Sequence, residues 1–141
     1  MNGLICHILL VFLSAFQGEY ECEVHISGIR NTSGNIIVSV FIDEASFKKE
    51  EPMYSKVIPK TSVVNGEVRT RLTLPGGRYG IALLDDENDD GEMKYNLIGI
   101  PQEGFGFSNF EHQGLKKPRL EDFIFTLDSS GQTIQVKVKY M

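Results

Sequence analysis

From Glu21 onward the chain alternates between apolar and polar residues. Cys22, Val24 and Ile26 interleave with Glu21, Glu23 and His25, and after "NTSGN" the positions Ile36, Val38, Val40 and Ile42 repeat the pattern. A period of two sends successive side chains to opposite faces, so both stretches predict half-buried strands. Asn65-Gly66 is a strong short hairpin signal. Beyond it Val68, Thr70, Leu72 and Leu74 face one way, Glu67, Arg69, Arg71 and Thr73 the other, until Pro75-Gly76-Gly77 ends the run.

In "RYGIALLD", residues 78–85, both alternating sets are apolar, Tyr79, Ile81 and Leu83 on one face, Ala82 and Leu84 on the other. A strand covered on both faces reads this way. "DFIFTLD" and "TIQVKVKY", joined by Ser129-Ser130-Gly131, predict two closing strands, and Ile134, Val136, Val138 and Tyr140 alternate with Gln135, Lys137 and Lys139. A single helical turn is predicted over residues 44–51, with Phe47 as its apolar anchor and Pro52 as its stop. About seven strands at spacings near ten residues predict an all-β fold, an antiparallel β-sandwich.

The N terminus changes where this fold is expected to work. Residues 1–18 contain no Lys, Arg, Asp or Glu, residues 8–13 are continuously apolar, and Ser14, Ala15 and Gly18 supply small residues for cleavage. The run is too short for a comfortable membrane span, which takes about 20 apolar residues. It reads as a signal peptide, with residues 19–141 as one exported domain, periplasmic or extracellular, without a transmembrane span. Cys6 falls in the leader, which leaves Cys22 without an intramolecular partner.

The formal net charge is −5, and six of the 19 acidic residues, Asp85, Asp86, Glu87, Asp89, Asp90 and Glu92, crowd into residues 85–92. The other 13 acids are matched by 14 bases. An acidic chain with no clustered basic footprint excludes a nucleic-acid partner. The loop reads Asp86-x-Asn88-x-Asp90-Gly91, the first half of a calcium loop, in which alternate oxygen-bearing side chains converge on a hard cation and glycine permits the turn. The twelfth position is Leu97 rather than a bidentate carboxylate, so the loop is not an EF-hand. The candidate ligands for Ca²⁺ are Asp86, Asn88 and Asp90, with Glu92 as a further one. The alternative is a solvated turn neutralised by Lys94 and neighbouring basic side chains.

Residues 99–110 mix glycines with Phe105, Phe107 and Phe110. Phe105, Phe107 and Asn109 are candidate contacts for a sugar or peptide ligand; the competing reading has the aromatics plugging an open end of the core.

"DENDDGEMKYNLIGIPQEGFGFSN" resembles the signature of a bacterial secreted family, domain of unknown function 2141: His-Asp-Glu-Asn-x-Asn-Gly-Lys-x-Asp, then Gly-Ile-Pro-x-Glu-x-x-Gly-Phe-Ser-Asn. Asp86, Glu87, Asn88, Gly91, Gly99, Ile100, Pro101, Glu103, Gly106, Phe107, Ser108 and Asn109 agree with it. Asp85 stands where histidine is usual, Asp90 for asparagine, Glu92 for lysine and Lys94 for aspartate. The resemblance extends to "LPGGRYGIALLDDEN", "PRLEDFIFTL" and the terminal strand. It implies an exported, transthyretin-like, Greek-key sandwich with no established activity.

No nucleophile is set beside a base and no histidine cluster emerges. The sequence therefore predicts a non-catalytic exported module, binding a cation at residues 85–92 and an envelope or extracellular ligand near residues 99–110. The alternatives are a purely structural envelope protein with a solvated acidic turn, or an enzyme of uncharacterised type.

Overall fold

The computed structural model describes residues 18–141, so the predicted leader lies outside the described residues except for Gly18. The elements are β1 (Glu19–Ser27), β2 (Asn35–Phe41), α1 (Glu44–Lys48), β3 (Tyr54–Pro59), β4 (Val68–Pro75), β5 (Gly77–Asp86), β6 (Gly104–Phe107), β7 (Ile124–Leu127) and β8 (Gln132–Lys137). Two 3-10 turns lie at Lys60–Ser62 and Leu120–Asp122.

One sheet has the order β4-β1-β8. The other runs β3-β2-β5-β6, and β7 pairs with the first half of β5 along the edge that β6 occupies further on. The expected β-sandwich is present, antiparallel except for β1 and β8, which run parallel. Alternation builds its core: Cys22, Val24 and Ile26 of β1, Leu72 and Leu74 of β4, and Ile134 and Val136 of β8 meet Ile36, Val38 and Val40 of β2 and Tyr79, Ile81 and Leu83 of β5.

The other face of β5 is also covered, as its sequence requires. Phe41, Phe47, Phe105, Phe107, Leu120 and Phe123 form a second apolar cluster on the outside of the larger sheet. Helix α1 delivers Phe47 to it, edge-on to Phe41, Phe107 and Phe123. The helix is shorter than predicted. The Asp43 carboxylate caps it by accepting the Ser46 N–H at 2.7 Å, and Glu50 at φ 56° turns the chain away before Pro52.

The hairpin expectation needs correction. Asn65 and Gly66 have φ of 53° and 75°, and Val64 and Glu67 exchange backbone hydrogen bonds at 3.0 Å, as in a tight turn. Yet β3 pairs with β2 and β4 pairs with β1. The turn sits in a crossover between sheets, because the Lys60–Ser62 turn has already carried the chain off the larger sheet.

Among the described residues no helix is long and apolar enough to cross a membrane.

Candidate metal centre

Strand β5 runs into the acidic loop, and its alternation separates the first two carboxylates. Asp85 continues the inward set of Ile81 and Leu83; Asp86 continues the outward set of Ala82 and Leu84. Asp85 is wholly buried, and its two oxygens accept from Lys60 Nζ at 2.7 Å and from the Tyr140 hydroxyl. Burial, then that hydrogen bond, pushes the Tyr140 phenol far above its ordinary range. The Arg30 guanidinium lies 4.3 Å above the Tyr140 ring and grips Glu87 with two hydrogen bonds of 2.6 and 2.9 Å, which hold the Glu87 carboxyl low.

Asp86 is 1% exposed. Its oxygens accept the backbone N–H groups of Asp90 at 3.2 Å and Gly91 at 2.8 Å, which folds the loop back over the strand end. Antiparallel β5 and β6 place Gly104 opposite Asp85, and continuing that register by one residue sets Glu103 opposite Asp86. Like charges directly across a strand pair repel.

Glu103 is 7% exposed, and neither of its carboxylate oxygens has a hydrogen-bond partner. One oxygen each from Asp86, Asp90 and Glu103 lies within 4.8 Å of the others. Burial first, then the charges of Asp86 and Asp90, raises the Glu103 pKa against a weaker pull from the Asn88 backbone N–H, which approaches the carboxylate without completing a hydrogen bond. Two oxygens bound to one Ca²⁺ at 2.3–2.6 Å are at most about 5 Å apart, so the spacing suits that ion.

Of the four predicted ligands, Asp86 and Asp90 belong to this cluster. The Glu92 carboxylate is outside it; the residue instead donates its backbone N–H to Asp90 Oδ1 at 3.0 Å. Asn88 lies alongside, donating Nδ2 to Asp90 Oδ2 at 3.2 Å while its Oδ1 accepts the Asp90 N–H at 3.4 Å. The predicted neutralisation by Lys94 is also present, as an exposed ion pair with Asp90 at 3.0 Å. The Glu92 N–H, then Lys94, keeps the Asp90 carboxyl low. Basic side chains thus answer Asp85, Glu87 and Asp90, and the Asn35 amide bonds Asp89. Among the described residues Asp86 and Glu103 have no basic partner.

Glu103 was hidden by its distance along the chain. The signal for it is the alternation in "EGFGF". Phe105 and Phe107 face outward with Glu103, whereas a Cβ on Gly104 would come within 2.4 Å of the Tyr140 ring and one on Gly106 within 2.7 Å of Val136. A strand with this alternation, laid beside β5, brings Glu103 to Asp86.

Phe105 and Phe107 are each 8% exposed, within the second cluster. Asn109, at φ 50°, donates its N–H to the Gln135 carbonyl at 2.7 Å and accepts the Gln135 N–H on Oδ1 at 2.9 Å, extending the edge of β8. Above the sheet lies an open trough of about 940 Å³, floored by Ile37, Leu84, Phe105 and Phe107 and walled on one side by Gly91, Glu92 and Met93 of the acidic loop.

The remaining chemistry-bearing side chains are dispersed. His112 packs edge-on against Phe105 and Phe107, and burial lowers its pKa. His25 bonds Gln135 at 2.8 Å. Cys22 is buried in the core, where desolvation pushes its thiol pKa up.

Residues 24–135 match the model of a bacterial family described as "Uncharacterized protein conserved in bacteria (DUF2141)". The chain belongs to that family. Comparison with curated proteins and with solved structures found no match.

Proposed function

We propose that this family member is an exported, non-catalytic β-sandwich module that holds a divalent cation, Ca²⁺ by the chemistry of the donors, between the end of β5 and the start of β6. The observation that carries the reading is Glu103. A buried carboxylate without a hydrogen-bond donor is costly, and here it faces a second buried carboxylate across the strand pair. A cation among Asp86, Asp90 and Glu103 removes both penalties, with Asn88, backbone carbonyls and water available to fill the shell. Hard oxygen donors suit Ca²⁺ or Mg²⁺, and Ca²⁺ tolerates the less regular shell that carboxylates on a loop and a strand supply. The dispersed histidines and the buried Cys22 support a non-catalytic role. Export rests on the uncharged apolar leader.

The test is a melting series of residues 19–141 in about 1 mM CaCl₂, in EDTA, and in NaCl of matched ionic strength. A dissociation constant of about 0.1 mM, in the range of extracellular modules, stabilises by RT ln 11, about 1.4 kcal/mol. That amounts to a rise of about 5 °C for a domain this size. Salt that reproduces the rise would instead favour the solvated turn of a purely structural envelope protein, because screening acts on exposed charges of any kind.

A further inference from the structure

On the inward face of the same strand end Asp85 belongs to a second arrangement, built from residues outside the cation cluster. Lys60 is wholly buried, a rare state for lysine. Its Nζ lies 2.7 Å from Asp85 Oδ1 and 2.7 Å from Asn31 Oδ1. Asp85 alone would suffice for an ion pair. Asn31 adds an amide whose carbonyl carbon, one bond of about 1.23 Å beyond its oxygen, lies no more than about 4 Å from the amine. The same oxygen accepts the Ser33 backbone N–H at 3.1 Å, which polarises the carbonyl and awaits a developing negative charge. A wholly buried amine and a wholly buried carboxylate therefore meet a polarised, half-buried amide.

We infer that Lys60 Nζ and Asn31 Cγ become joined by an intramolecular isopeptide bond, with Asp85 as the proton carrier. The Lys60 ammonium passes a proton to Asp85 along their hydrogen bond, and the freed lone pair forms the N–C bond to Asn31 Cγ while the Ser33 N–H holds the oxygen. The two protons that the attacking nitrogen loses reach the amide nitrogen of Asn31 through Asp85 and the solvent that half-buried Asn31 meets. The old C–N bond breaks with its electron pair on that nitrogen, which leaves as ammonium, and Asp85 returns to the carboxylate. Nothing is oxidised or reduced, and no co-reactant is needed. Proximity supplies most of what an amide otherwise lacks as an electrophile. The bond links the β1–β2 connection to the β3–β4 crossover, the two places where the chain passes between sheets at this end of the sandwich.

Denaturing intact-mass spectrometry of the purified wild-type chain, with peptide mapping, tests this without any variant. The expected result is a mass lighter than the sequence requires by one ammonia, and a branched peptide joining Asn31 to Lys60. A wild-type chain at its full sequence mass overturns the proposal and leaves Lys60 as an ion-paired buried amine. Lys60→Met is expected to restore full mass; loss of ammonia persisting in Lys60→Met would mean that Asn31 cyclises on its own backbone, and would also overturn it. Asp85→Asn is expected to stay at full mass, whereas a fully cross-linked Asp85→Asn chain would remove Asp85 from the chemistry.

Discussion

Replacing Glu103 with Gln separates a cation site from a merely acidic loop. The substitution keeps the shape and removes one charge from the cross-strand pair with Asp86, and the new amide can donate to the Asp86 carboxylate. In EDTA at neutral pH the variant is expected to be more stable than the parent by about 0.5–1 kcal/mol, the size of a cross-strand charge interaction, or roughly 3 °C in melting temperature. In about 1 mM Ca²⁺ the order reverses, because the parent gains about 1.4 kcal/mol from a site of about 0.1 mM affinity while the variant gains little. The pH dependence follows from the raised Glu103 pKa. Folding favours its protonated form, so the metal-free protein keeps that contribution below the unfolded value of about 4.3. It loses the contribution as pH rises through the folded value, since there the unfolded chain binds fewer protons than the folded one. Thermal melts from pH 4 to 7.5 should show this decline in EDTA and lose it in Ca²⁺ or in Glu103→Gln. A Glu103→Gln protein less stable than the parent in EDTA, and still stabilised by Ca²⁺, would refute the reasoning.

Three further outcomes can be measured. Val136→Ala, which empties part of the inner face of β8, should cost about 1–2.5 kcal/mol in denaturant melts, and Lys137→Ala under about 0.5; equal losses would mean the register is wrong. Gly106→Ala forces a Cβ to within 2.7 Å of Val136 Cγ1 and 2.8 Å of the Lys137 carbonyl and should cost about 1–3 kcal/mol by overpacking, which a variant of parental stability would contradict. Protein recovered from an exporting host should begin between Ala15 and Cys22 by N-terminal sequencing, and an intact Met1 in the soluble folded fraction would count against export.

The long strands were legible because one buried face imposes a period of two. β1, β2, β4, β5 and β8 all announce themselves in this way, and the doubly apolar β5 announces even its second covering layer. β6 is only four residues long, and its inward positions are glycines. It carries no apolar alternation on the inside, so only the outward Phe105 and Phe107 mark it as a strand. With β6 unread, Glu103 had no position, and Glu92 stood in for it on the strength of a calcium-loop spacing. The calcium-loop pattern did bring Asp86 and Asp90 together, because it describes how a short segment folds on itself. The Asn31, Lys60 and Asp85 grouping has no linear signature, since it forms where two connections meet the end of β5.

The parallel pairing of β1 with β8 has a consequence for how the molecule comes into being. His25 and Gln135, 110 residues apart, touch across that pair, and β1 lies between β4 and β8 in the middle of its sheet. Until the last dozen residues have emerged, β1 has an open edge, and Cys22, Val24 and Ile26 lack the neighbours supplied by Ile134 and Val136. Folding therefore waits for β8, and so large a separation between contacting residues places its rate in the slow, millisecond-to-second regime. A truncation that removes β8 should yield an aggregation-prone product with an exposed strand edge, and a chain still being threaded across a barrier would remain extended until its final strand arrived.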